Sequence, residues 1–157
     1  MSVHLRSFIL PVALSMGVAV AAPALAKKHP HPPVLIPAPP AGKGQVVFFR
    51  PANRVMGRFI GLPVRDGDVG IGTLGNGTYV VHVVDPGPHV FTTRLKVTDR
   101  LPLEVEAGET YYVEQTMGVG LVAGHPHLAP VERADFEALK LKPSTRKAKD
   151  LKRKREK

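Results

Sequence analysis

Between residues 43 and 139, glycine, proline and the pairs Asp66-Gly67 and Asn76-Gly77 break the chain so often that no long helix fits before residue 134. The segments between the breaks are short and rich in valine, leucine, phenylalanine, tyrosine and threonine, the composition of strands. They are residues 45–50 (closed by Pro51), 59–65, 69–74, 78–84, 89–97, 101–106, 110–116 and 128–133. Asp66-Gly67 is a tight hairpin signal. Asn76-Gly77 and Ala107-Gly108-Glu109 are turns, and Asp85-Pro86-Gly87-Pro88 stops the run before it. Residues 134–139 read as a short helix with Asp135 near its start. Residues 80–84 are apolar on both faces apart from His82, as expected of a central strand. Seven or eight short strands in about 100 residues predict an all-β fold, a small antiparallel β-sandwich of the immunoglobulin or transthyretin type.

The flanks read differently. Residues 1–26 have the three parts of a secretory signal: Arg6, an apolar stretch over residues 8–22, and the small-residue site Ala24-Leu25-Ala26 before Lys27. The apolar stretch is short of the ~20 residues a permanent span needs. The expected mature chain therefore starts at Lys27, works in the periplasm or outside the cell, and has no transmembrane segment. In residues 27–42, six of 16 residues are proline, the composition of an extended spacer. Residues 43–139 form the expected β-domain, and residues 140–157 a basic tail.

Charge separates these segments. The chain carries a formal +9, yet residues 27–139 hold 11 basic and 11 acidic groups. Residues 140–157 hold 10 basic groups against Asp150 and Glu156, a net +8. Like-charge runs repel themselves and stay solvated, so the tail is expected to be disordered. An exported chain meets anionic phospholipid, lipopolysaccharide or cell-wall polymer, and export takes it away from nucleic acid. Lys147, Lys149, Lys152, Arg153, Lys154 and Arg155 are the residues expected to contact such a surface.

Chemistry is sparse. There is no cysteine, and the four serines are Ser2, Ser7, Ser15 and Ser144, so the predicted β-domain has neither common acyl-transfer nucleophile. That excludes a serine or cysteine hydrolase. An enzyme would have to use carboxylates and histidines alone, in a cleft joining His82 or His89 to an acid. Gly70-Ile71-Gly72-Thr73-Leu74-Gly75 matches a dinucleotide fingerprint in letters only. A β-run rather than a helix N-terminus follows it, so the glycines read as turn and bulge positions. Asp66-Gly67-Asp68 lacks the later oxygen ligands of a calcium loop. Tyr111 and Tyr112 point to opposite faces of a strand, one into the core and the other partly exposed. Glu104 and Glu106 share a solvated face.

Two histidine pairs offer an alternative function. His29 and His31, and His125 and His127, are each separated by one proline, and neutral imidazoles suit copper, nickel or zinc. Otherwise no cofactor is expected. The leading expectation is a non-enzymatic binding or structural accessory of the cell envelope.

Three motifs carry a family resemblance: Gly77-Thr78-Tyr79, Pro86-Gly87-Pro88-His89, and Ala107-Gly108-Glu109-Thr110-Tyr111-Tyr112-Val113. In this order the chain resembles the bacterial domain of unknown function 2846, over residues 42–139. The resemblance implies an exported, often lipid-anchored sandwich domain without assigned activity. The cysteine used for such anchoring is missing here, and the basic tail lies outside the resemblance.

Overall fold

The computed structural model of the chain describes residues 32, 34–52, 59–118 and 125–146. The predicted signal segment, His29, His31 and the tail beyond Arg146 lie outside these residues. Among the described residues the strands are β1 (Gly44–Arg50), β2 (Leu62–Asp66), β3 (Val69–Leu74), β4 (Thr78–Val84), β5 (Gly87–Arg94), β6 (Thr98–Val105), β7 (Thr110–Gly118) and β8 (His125–Val131). A short helix, α1 (Arg133–Glu137), and a two-residue strand, β9 (Lys142–Pro143), follow. No helix among them is long and apolar enough to cross a membrane.

Two sheets result, with orders β8-β7-β1-β4-β9 and β3-β2-β5-β6. The β2–β3 hairpin closes through Gly67-Asp68. Gly67 takes φ +52° at the first central position, a left-handed conformation that glycine adopts without steric cost. Further along, the register slips between Val64 and Arg65, opposite Gly70 and Gly72. The glycine run is thus a bulge, as its pattern suggested.

One expectation is corrected. The first sheet is mixed rather than antiparallel, because β1 pairs parallel with β7, from Gln45 opposite Thr110 to Phe49 opposite Glu114, and β4 pairs parallel with β9. The chain reaches β7 from β6 in the other sheet, so no hairpin constrains its direction, and it enters beside β1 from the same end.

Alternation along β1 builds two clusters. Val46 and Phe48 face the second sheet and pack with Val64, Leu74, Phe91 and Val105 in a core shared by both sheets. Phe48 meets Phe91 edge-on, with centroids 4.9 Å apart at 68°. Val47 and Phe49 face the other way, against Tyr112, Phe136 and Leu141. Phe136 of α1 is the hub here, in contact with the rings of Phe49, Tyr79 and Tyr112. All seven residues of β1 are buried. The most enclosed strand is therefore β1, whereas β4 is mostly half-buried and its far edge is paired only at Thr78 and Tyr79.

The packed body runs past the limits that composition suggested. On the N-terminal side Val34 and Ile36 pack on the outer cluster, and the Gln45 side-chain amide donates to the Pro37 carbonyl at 2.7 Å. On the C-terminal side Leu141 is buried, and the backbone of Lys142 donates to the Gly77 carbonyl at 3.0 Å. Ser144 donates twice, from its N–H to the Tyr79 carbonyl and from Oγ to the Thr73 carbonyl, each at 2.7 Å. The Thr73 N–H donates to the Arg146 carbonyl at 2.9 Å. Residues 141–146 thus belong to the body, and those beyond Arg146 lie outside the described residues.

Candidate functional site

The register of β1 against β4 gives the body two ends: Arg50 lies opposite Thr78, and Gly44 opposite Val84. Each end carries a group of residues with chemical interest.

At the Gly44 end, His82 of β4, His89 of β5 and Asp66 of β2 come together across the two sheets. Asp66 Oδ2 lies 2.7 Å from His89 Nδ1 and 3.7 Å from His82 Nε2, the first a hydrogen bond and the second a charge contact. His89 Nε2 is 2.9 Å from the Asp85 carbonyl, and its ring stacks on Phe91 at 5.6 Å. Lys43 pairs with the Asp85 carboxylate beside it. Both ring nitrogens of His89 therefore face acceptors, an arrangement that only the doubly protonated ring satisfies. Desolvation works against that cation. It is outweighed by the Asp85 carbonyl and the Asp66 carboxylate, which hold the His89 pKa above its ordinary value. His82 goes the other way, lowered chiefly by burial despite the pull of Asp66.

The opposite shifts set the pH response. His82 binds fewer protons folded than unfolded, so its contribution to stability falls as pH drops below about 6.5. His89 binds more, so its contribution is complete below about 6.5 and is lost as pH rises through its raised folded value. Stability should show a local maximum near pH 6.5. In Asp66→Asn the alkaline loss should shrink, a change that melting temperature measured from pH 5 to 8.5 would reveal. An alkaline limb unchanged in Asp66→Asn would contradict the assignment.

The cluster meets the sequence condition of His82 and His89 joined to an acid, but it is a clasp between sheets. Its hydrogen-bonding capacity at His89 is spent internally, and grooves of about 450 Å³ and 310 Å³ both lie elsewhere. The larger groove runs beside Ile36, Leu103, Tyr111 and Arg133. Tyr111 is half-buried there, its hydroxyl accepting from the Glu106 N–H at 3.2 Å, while Tyr112 is buried in the outer cluster. Arg133 is held by Glu137 at 2.6 Å.

Of the metal candidates, His125 and His127 are both exposed on β8. His127 Nδ1 is 3.1 Å from Asp99 Oδ2, which also accepts from the Leu128 N–H at 2.8 Å. Among the described residues no group of three or more His, Cys, Asp or Glu side chains is placed to hold a metal. His29 and His31 fall outside them.

At the Arg50 end, β9 carries the chain out past a groove of about 310 Å³ lined by Phe59, Ile60, Asn76, Pro143 and Arg146. Phe59 is 85% exposed, the largest exposure among the bulky apolar side chains described. A Cβ added to Gly61 would lie 3.3 Å from an Arg146 guanidinium nitrogen, so that cation sits beside the Phe59-Ile60 corner. Arg50 reaches the same corner from beneath, donating to the Ile60 carbonyl at 2.7 Å. The residues expected to bind an anionic surface, Lys147, Lys149, Lys152, Arg153, Lys154 and Arg155, lie outside the described residues.

A family model for a protein of unknown function, DUF2846, matches residues 40–126. The chain belongs to the DUF2846 family. The match covers β1 to β7 and reaches the first residues of β8, so the DUF2846 region includes the His82–Asp66–His89 clasp and the Phe59 corner. The rest of β8, α1, β9 and the basic tail follow it. No curated protein and no solved structure matches the chain.

His82 and His89 stand out in the sequence, but their junction with Asp66, 16 and 23 residues away at a hairpin end, carries no sequence signal. The β-rich run over residues 59–65 predicts Phe59 in a strand, where half of all side chains are covered. Phe59 instead precedes β2, outside the sheet.

Proposed function

We propose that this protein is an exported, non-enzymatic binding or structural accessory of the cell envelope, in which the basic tail contacts an anionic surface. With this reading goes a secretory signal over residues 1–26, removal of that segment, and a periplasmic or secreted location. The two sheets are read as an immunoglobulin- or transthyretin-like sandwich, displayed on a proline-rich spacer with a solvated tail.

The segregation of charge carries the proposal. Residues 27–139 are balanced at 11 basic and 11 acidic groups, whereas 147–157 alone hold seven basic groups against two acidic ones. Each basic residue near an anionic surface contributes of order 1 kcal/mol, attenuated beyond a Debye length of about 8 Å at physiological salt. The tail then acts as an electrostatic tether, and the body, attached at Arg146, is held at that surface.

The test is co-sedimentation with purified cell-wall sacculi and with anionic vesicles. The chain from Lys27 onward, which keeps every described residue, is compared with one ending at Arg146. Pelleting that needs residues 147–157 and weakens from low to physiological salt is the expected result. Equal behaviour of the two chains would remove the tail from the function.

A further inference from the structure

The acidic and basic groups of the body balance in number but separate in space. At the Gly44 end stand Asp66 of the clasp, Asp68 in the turn after it, and Asp85 paired with Lys43. Glu104 lies there opposite Pro88, and Glu106 and Glu109 flank the turn whose Gly108 N–H donates to the Lys43 carbonyl at 2.8 Å. The Arg50 end is cationic. The register of β2 with β5, from Asp66 opposite Phe91 to Val64 opposite Thr93, brings the tip of the β5–β6 hairpin to the start of β2. Beside that start Arg50 donates to the Ile60 carbonyl, and Thr73, opposite Pro63, donates its N–H to the Arg146 carbonyl. Arg94, Lys96, Arg100 and Arg146 therefore gather toward one end.

These cations are exposed, and no ion pair formed among the described residues includes Arg94, Lys96, Arg100 or Arg146. Phe91 and Leu101 pack in the shared core, so by alternation Arg94 and Arg100 lie on the outer face of the second sheet. Asp99, the acid between them in sequence, is taken up by the Leu128 N–H and His127. At the tip, Leu95 and Val97 are 36% and 46% exposed on either side of Lys96.

We infer that this end is an anionic docking face of the body, set against a phospholipid bilayer with the Leu95-Lys96-Val97 tip foremost. Charge complementarity selects an anionic surface, and the two apolar side chains select a lipid one. A bilayer offers phosphates to the cations and, just beneath, an apolar layer to leucine and valine. A hydrated wall polymer takes the cations and leaves those side chains in water. The acidic end is repelled by the same phosphates, so the separation of charge orients the body. No residue of the tail belongs to this face, which goes beyond the reading of the tail as a tether. A few cations bind weakly at physiological salt. A tail held to the same bilayer makes their docking intramolecular.

The chain has no tryptophan, so Val97→Trp and Ala107→Trp each place a single fluorescent reporter, one at either end of the body. The chain from Lys27 onward is titrated at low salt with vesicles of phosphatidylglycerol and phosphatidylcholine, with pure phosphatidylcholine vesicles and with sacculi. With the anionic vesicles, Val97→Trp emission should shift to shorter wavelength and be quenched by lipids brominated near the head group. Ala107→Trp emission should do neither. Replacing Arg94, Lys96 and Arg100 together by glutamine should weaken binding to these vesicles at least about tenfold, as expected of three basic residues near an anionic surface. Its melting temperature should stay unchanged, because all three side chains are exposed. If tail-dependent binding persists while the triple variant binds like the parent and the two reporters respond alike, the tether stands and the docking face is overturned. A Val97→Trp response to sacculi and not to vesicles overturns the bilayer as its surface. If the parent chain binds neither vesicles nor sacculi, tether and docking face fall together.

Discussion

Phe48→Ala is expected to lower stability by about 3–5 kcal/mol, enough to bring a domain of this size close to unfolding. Phe48 is fully buried at the centre of β1, and its ring meets Phe91 edge-on from the opposite sheet. Removing it takes away the transfer free energy of a phenyl ring and leaves a cavity between two sheets. Their strands are tied into ladders and cannot close over the gap. The urea midpoint should fall with little change in slope. A natural control is Leu35→Ala, where the side chain is 83% exposed and the expected change is within about 0.5 kcal/mol. A loss below about 1 kcal/mol at Phe48 would mean that the two sheets do not rely on the contact between β1 and β5.

The position of the C-terminal cut should matter almost as much. A chain ending at Leu139 loses Leu141 from the outer cluster, which uncovers Phe136 and Tyr79. It also loses the bonds of Lys142 and Ser144 to Gly77, Tyr79 and Thr73, and that of Thr73 to Arg146. Each such bond contributes about 1 kcal/mol and the buried leucine about 2, partly offset by the chain entropy regained. A net loss of roughly 2 kcal/mol is expected, read as a lower melting temperature. A chain ending at Arg146 keeps all of these contacts and should melt within about 1 °C of the parent. Tail function must therefore be tested with the second cut. With the first, lost binding and lost folding would be confounded. Equal melting temperatures for the two cuts would contradict the docking of residues 141–146.

Local chemistry was well written in the sequence, and long-range chemistry was not. Turn residues announce themselves because backbone geometry requires them: Gly67, Gly77 and Gly108 all take positive φ where a break was expected. Strand positions followed, with β3 and β4 at the limits read from composition. The parallel partnership of β1 with β7 left no such trace. It joins segments some 65 residues apart, and strand direction is not encoded in alternation. The His82–Asp66–His89 clasp was hidden for the same reason, since three strands from two sheets must be folded before the groups meet. Strand β9 was masked by its setting. Lys140, Lys142 and Arg146 read as tail, while Leu141 between them is buried in the outer cluster. Composition averages over a segment, but packing selects single residues.

The central claim is that residues 147–157 are an electrostatic tether. Its most direct test replaces Lys147, Lys149, Lys152, Arg153, Lys154 and Arg155 together by glutamine, which keeps the length and takes the net charge of residues 147–157 from +5 to −1. The apparent dissociation constant for anionic vesicles is then measured from about 20 to 150 mM salt, over which the Debye length falls from about 20 Å to 8 Å. The parent should bind at low salt and weaken steeply with salt. The glutamine chain should bind at least a hundredfold more weakly at low salt, with a nearly flat salt dependence. Equal affinity and equal salt slope in the two chains would contradict the tether and return the function to the body of the domain.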